Sequence, residues 1–198
     1  MFICAKGENF SFAREIGVGL VDSAISLTSI VLKEVPKEII FIGSAGSYTK
    51  KIQIFDILTS TSATQIESSF INEDSYTPID NKIDVSHETK IKLNTSSKYS
   101  KQDSKPNAIL DKVVVNSSNY ITTNSSISNS FCSANILLEN MEFFSVLKVA
   151  EYFNIQAFGI FCITNYCDDN AHSNFLKNHK IAKEKLENYV RGHYAKYF

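Results

Sequence analysis

Three short segments carry the residue types best suited to chemistry. The first, Glu38-Ile-Ile-Phe-Ile-Gly-Ser-Ala-Gly-Ser-Tyr48, runs from a β-branched stretch into Gly43-Ser44-Ala45-Gly46. Glycines at such a place let backbone N–H groups turn toward an anion or a water, and Ser44 adds a hydroxyl donor. The second, Leu138-Glu-Asn-Met-Glu-Phe-Phe144, sets a Met141–Glu142 pair at the start of an amphipathic stretch. A carboxylate there can accept hydrogen bonds from vicinal hydroxyls, and the thioether offers a polarizable apolar face. The third, Gly159-Ile-Phe-Cys-Ile-Thr-Asn-Tyr166, takes an apolar run to polar Thr164 and Asn165. An amide both donates and accepts, but it cannot act as a general acid. Each segment alone also has an ordinary explanation: a Gly-Ser turn, a Glu favoured by a helix dipole with Met as core filler, and a Thr-Asn turn after a strand.

The elements that must position these residues follow from hydrophobic periodicity. Phe2-Ile-Cys-Ala5 reads as a short buried strand closed by Gly7. Val21, Ala24, Ile25, Leu27, Ile30, Val31 and Leu32 recur at helical spacing, and Pro36 ends that helix before the Ile39–Ile42 strand. Ile52 to Thr64 is β-rich, and Lys112-Val-Val-Val115 reads as a strand followed by a short strand or turn at Asn119-Tyr-Ile121. A helix is predicted over Met141–Phe153, a buried strand over Ala157–Ile163, and a long helix from His172 to about Lys196. The last has Phe175, Leu176, Ile181, Ala182, Leu186 and Val190 as its inner stripe. Residues 67–107 turn to Ser, Lys, Asn, Asp and Thr, and His87–Lys105 reads as a mobile surface excursion. No internal repeat and no heptad seam is read. Alternating strands and helices, with several strands apolar on both faces, predict an α/β fold: three αβα layers around a central mixed β-sheet. Ligands in such folds gather at the carboxyl ends of strands. Ser44, Tyr120, Met141–Glu142 and Asn165 are all expected there.

At 198 residues, 43% hydrophobic and 21% charged, the chain suits one soluble globular domain spanning residues 1–198. A net charge of −1 without a dense basic run gives no electrostatic surface for nucleic acid. No apolar run approaches a membrane span, and Lys6 interrupts the start too early for a signal peptide. The four cysteines lack disulfide or CxxC spacing, which points to a reduced, cytoplasmic protein. The four histidines form no metal-ligand set; His172 and His179 share a helical face but lack a third ligand, and are expected at the solvent surface.

In this order, the three segments resemble the nucleoside phosphorylase and nucleosidase superfamily. The resemblance spans Gly17 to about Ala182, leaves 67–107 unmatched, and implies the phosphorylase/hydrolase-like fold. It also implies the three tasks of cleaving a purine N-glycosidic bond. Glu142 would hold the ribose hydroxyls with Met141 against the sugar. Tyr120 would stack on the purine, with a backbone contact from Ile121. Asn165 would face the base, and Ser44 with Gly46 would place phosphate or water. Asn165 departs from the Ser-Asp of nucleosidases and hexameric phosphorylases and is similar to the Thr-Asn of trimeric phosphorylases, which act on 6-oxopurines. Asp168 or Asp169 is a candidate for the missing acid. Phe41 stands where hexameric phosphorylases carry an arginine, leaving Arg14 or a neighbouring subunit to supply charge. Glu8 lies near the place of the acid that activates water in nucleosidases. The leading expectation is phosphorolysis of 6-oxopurine nucleosides, with phosphate as co-substrate, no cofactor or metal, and a homo-oligomer (dimer or trimer of dimers). Hydrolysis of methylthioadenosine-like nucleosides is the alternative, supported by Gly43-Ser-Ala-Gly46 and opposed by Asn165. A non-catalytic nucleoside-binding homologue is the third reading.

Overall fold

The computed structural model describes residues 1–85 and 113–197. Along the chain come β1 (Phe2–Cys4), β2 (Arg14–Glu15), α1 (Gly19–Glu34), β3 (Glu38–Ser47), β4 (Ile57–Ser60), β5 (Ser62–Thr64), α2 (Ser68–Ile71) and β6 (Lys82–Asp84). Beyond residue 112 follow β7 (Val114–Asn116), α3 (Ser125–Ser133), β8 (Leu138–Glu139), α4 (Phe143–Tyr152), β9 (Gln156–Tyr166) and α5 (Ala171–His193). The described strands form one nine-stranded mixed sheet. Its centre is the parallel pair β3 and β9, with β1 parallel on the other side of β3 and β4 antiparallel to β9. Past its midpoint β3 also pairs with antiparallel β8, which leads through β7 and β5 to β6.

Side-chain alternation along the two central strands sets the layers. Ile39 and Phe41 pack on one face with Leu27 and Val31 of α1 and Phe143 and Leu147 of α4. Ile40, Ile42, Phe158, Ile160 and Cys162 pack on the other, against Ala182, Leu186 and Val190 of α5. Both faces are therefore dry, which is why these strands read as unbroken apolar runs. The expected αβα arrangement around a mixed sheet is what the chain forms.

Several elements differ from the sequence reading. The central strands run further: β3 continues through Gly43-Ser44-Ala45-Gly46 to Ser47, and β9 through Thr164 and Asn165 to Tyr166. Their ladder is held by a register shift at Ala45/Gly46, where Thr164 is the extra residue and Gly46 comes to lie opposite Asn165. α1 buries Ser23, Leu27 and Val31, whereas Val21, Ile25 and Leu32 of the predicted stripe face out. In α5 the buried residues are Ala171, Ala182, Leu186 and Val190, with Leu176 and Ile181 exposed. The polar stretch after Glu67 contains α2 and the edge strand β6, which pairs antiparallel with β5. The rest of that excursion, including His87–Lys105, lies outside the described residues, as does the start of the Lys112–Val115 run; its strand begins at Val114.

Candidate active site

At the carboxyl ends of β1, β3 and β9 a cavity of about 480 Å³ opens between the sheet, the start of α4 and the start of α5. Its walls include Glu8, Ser44, Gly46, Ile121, Met141, Glu142 and Asn165, all singled out from sequence.

Glu142 is only 4% exposed and stands at the N-terminal edge of α4. Its Oε1 accepts a hydrogen bond from the Gly19 N–H at 3.0 Å. Gly19 takes φ +75°, and a Cβ there would lie 2.7 Å from Asn119 Oδ1, so glycine is required for this approach. Asn119 Oδ1 accepts from the next amide, Leu20 N–H, at 2.9 Å. The Gly17-Val-Gly19 segment thus presents the N-terminus of α1 to Glu142. Burial pushes the Glu142 carboxyl up to about 7; the Gly19 N–H opposes that, the charge of Glu8 adds to it, and Asn140 opposes it. Met141, beside it, also lines the cavity.

Asn140 ties this corner together and was not found from sequence. Its Oδ1 accepts from the Glu142 and Phe143 N–H groups, each at 3.0 Å, capping α4. Its Nδ2 donates to the Ser44 carbonyl at 3.1 Å, bracing β3 against the helix. An Asn two residues before Glu142 is the signal that could have revealed the cap.

At the base of the cavity Asn165 Oδ1 accepts from Thr164 Oγ1 at 2.8 Å, and its Nδ2 donates to the Tyr166 carbonyl at 3.1 Å. One N–H of the amide is left to serve as a donor. A Cβ on Gly46 would lie 3.0 Å from Asn165 Nδ2 and 2.8 Å from Cys167 Sγ, so only glycine fits opposite the bulge. Glu139 also lines the cavity, but its oxygens are taken by Tyr48 Oη at 2.7 Å and by the backbone and hydroxyl of Thr122.

The third corner joins the turn after β1, strand β3 and helix α5. Ser44 Oγ donates to Glu8 Oε1 at 3.1 Å, and His179 Nε2 lies 2.8 Å from Glu8 Oε2. The bond to Glu8 raises the His179 pKa, with burial opposing it, Glu8's charge reinforcing it and Lys183 opposing it. His172 and Phe175 line the same wall. The sequence places both histidines at the solvent surface; His172 is exposed there while lining the cavity, whereas His179 is half-buried against Glu8. The signal available was the i, i+3, i+7 spacing of His172, Phe175 and His179 just after Asn165.

Three candidates fall outside this cavity. Tyr120 is 74% exposed and does not line it, although Ile121 does. The loop after β7 is held by Tyr120 N–H on Ser118 Oγ at 3.1 Å rather than extended as a strand. Arg14 sits at the outer edge of the sheet on β2 and pairs with Glu34. Asp168 lines a separate depression beside α3 and accepts from the Asn170 N–H at 2.9 Å, shaping the turn into α5.

With this geometry in view, the family model of the phosphorylase superfamily matches residues 2–193. The chain belongs to the phosphorylase superfamily. No curated protein matches the sequence. Among solved structures, the chain is similar to an Asp-to-Asn variant of the 5'-methylthioadenosine nucleosidase of Helicobacter pylori with 5'-methylthioadenosine in the active site. The TM-score is 0.72 at 18% identity, over 93% of this chain and 79% of that one. A futalosine hydrolase variant of the same organism gives 0.69 at 19% identity, over 90% and 77%. The S-adenosylhomocysteine nucleosidase of Streptococcus pyogenes, in complex with 5-methylthiotubericidin, gives 0.64 at 14% identity, over 88% and 74%. At these identities the likeness is one of fold. Among the described residues no helix is long and apolar enough to cross a membrane.

Proposed function

We propose that the chain hydrolyses the N-glycosidic bond of a purine nucleoside, with water rather than phosphate as the nucleophile. The observation that carries this reading is the partner of Ser44. Its hydroxyl points at the Glu8 carboxylate, 3.1 Å away. A carboxylate at that place repels a phosphate dianion and suits a water from which it can take a proton. Neither arginine lines the cavity, so the fork that grips phosphate best is absent there. The resemblance noted at Gly43-Ser-Ala-Gly46 supports the same reading, as does the nucleosidase character of the structural neighbours.

Glu142, ionised, accepts the ribose hydroxyls, with Met141 against the sugar. Water adds to the anomeric carbon, its proton passes to Glu8, and the glycosidic electron pair leaves with the purine. Asn165 offers the departing base its remaining N–H. That donor suits N7 and a 6-oxo oxygen, both acceptors, better than a 6-amino group.

Inosine, guanosine, adenosine and methylthioadenosine, each incubated with and without phosphate, test the reading. Free base and free sugar should form without phosphate, and phosphate should not accelerate them. A sugar 1-phosphate product would restore the phosphorolytic reading. Binding of nucleoside without turnover would favour the non-catalytic one, to which the un-ionisable Asn165 lends support.

A further inference from the structure

We propose that His179 is a positioning residue for Glu8, holding by bond and by charge the carboxylate that receives the proton of the attacking water. The inference rests on the hydrolytic reading above. Glu8 follows Gly7 in a tight turn after β1, where its N–H bonds the Ala5 carbonyl at 3.2 Å. Such a side chain needs support from elsewhere to keep one orientation. Two layers of the fold supply it: Ser44 of β3 on Oε1 at 3.1 Å and His179 of α5 on Oε2 at 2.8 Å. Bonds to both oxygens fix the carboxylate plane, and Oε1 keeps a second lone pair for water.

The imidazole is itself held. Its ring packs on Phe175 with centroids 4.9 Å apart, and the neighbouring Asn178 Nδ2 donates to the Thr164 carbonyl at 2.8 Å. Charge gives the second half of the argument. Glu8, Glu139 and Glu142 all line the cavity. Glu139 is covered by Tyr48 and Thr122 and Glu142 by Gly19, while Glu8 faces the imidazole. Lys183 on the same helix also acts on His179, and Lys6 and the imidazole of His172 line the same cavity. A protonated His179 balances the carboxylate in the corner that lacks an arginine. In the chemical step a lone pair of the water oxygen forms the new C–O bond, the O–H pair stays on that oxygen, and the proton goes to a lone pair of Glu8 Oε1. The C–N pair departs with the base, while His179 keeps its own proton.

The test compares His179→Ala and His179→Gln with wild type across pH on a nucleoside that wild type hydrolyses, with thermal unfolding of each variant alongside. Alanine should lower kcat about tenfold to a hundredfold at neutral pH, with KM nearly unchanged. Glutamine keeps a donor but not the charge, so it should recover part of kcat. As pH rises past the imidazolium's titration, wild type should fall to the glutamine level, and the two profiles should merge. If alanine fails to fold, the merging of the glutamine and wild-type profiles still carries the result. Wild-type hydrolysis with unchanged kcat and profile in both variants overturns this inference alone. A wild type inert toward every nucleoside overturns the hydrolytic reading and this inference with it.

Discussion

In the proposed reaction Asn165 would set base preference through a single donor. Its Oδ1 is engaged by Thr164, so the amide would meet a base as a donor. Asn165→Asp replaces that donor with an acid that can protonate N7, and preference should move from inosine or guanosine toward adenosine, because mismatched buried hydrogen bonds discriminate strongly. Competition assays with mixed nucleosides measure the ratio, and an unchanged ratio removes Asn165 from base recognition. Glu142 makes a second prediction through its proton. Its carboxyl titrates near 7 in the fold, against 4.5 unperturbed. Ribose hydroxyls donate to the ionised form, so nucleoside affinity should rise between about pH 6 and about pH 8, with a proton released on binding. Calorimetry in two buffers of different ionisation enthalpy detects that proton; an affinity flat in pH would contradict the role. The empty protein shows the matching cost. The unfolded chain ionises this group first, so its contribution to stability is lost as pH climbs from 4.5 through about 7.

At the scale of elements, the start of α1 is a part of the site that contacts Glu142 through backbone alone. Gly19→Ala places a Cβ in a left-handed conformation, costing about 1–2 kcal/mol, and pushes it into Asn119. Denaturant unfolding should show that loss. Nucleoside binding should weaken more than binding of free purine, because the Glu142 corner moves. Equal losses for both ligands would detach α1 from the ribose. Element scale also shows what the sequence disclosed. The apolar stretches of β3 and β9, Ile39–Ile42 and Ala157–Ile163, were legible because both of their faces are buried; their polar continuations to Ser47 and Tyr166 were not. β6 was not, since an edge strand of Lys82, Ile83 and Asp84 has one buried residue and carries no periodic signal. Glu142, Met141 and Asn165 were legible as residue types at strand and helix ends. The Glu8–His179 contact was not, because it joins positions 171 residues apart, and pairing over that distance leaves no trace in local spacing.

At the scale of the whole molecule, α1 presents an apolar line that is exposed among the described residues. Val21, Ile25 and Leu32 of the helix are exposed on one side with Thr28 between them, and Val18 and Val35, which flank its two ends, are exposed as well. Val18 also lines the cavity, and the stripe therefore runs to its mouth. A two-fold axis would bring this face against its own copy, and we expect two copies to pair there. Sedimentation velocity should show wild type above monomer mass at micromolar concentration and Ile25→Lys with Leu32→Lys near it; a wild-type monomer would refute the assembly. The 171-residue span between Glu8 and His179 has a consequence for biosynthesis. A nascent chain that has emerged only through β9 already contains Glu142, Met141 and Asn165, the groups assigned to sugar and base. It holds Glu8 as well, but not yet His179, the proposed support of that carboxylate. Glu8 is thus made first and its proposed support last, so that contact waits for the synthesis of α5.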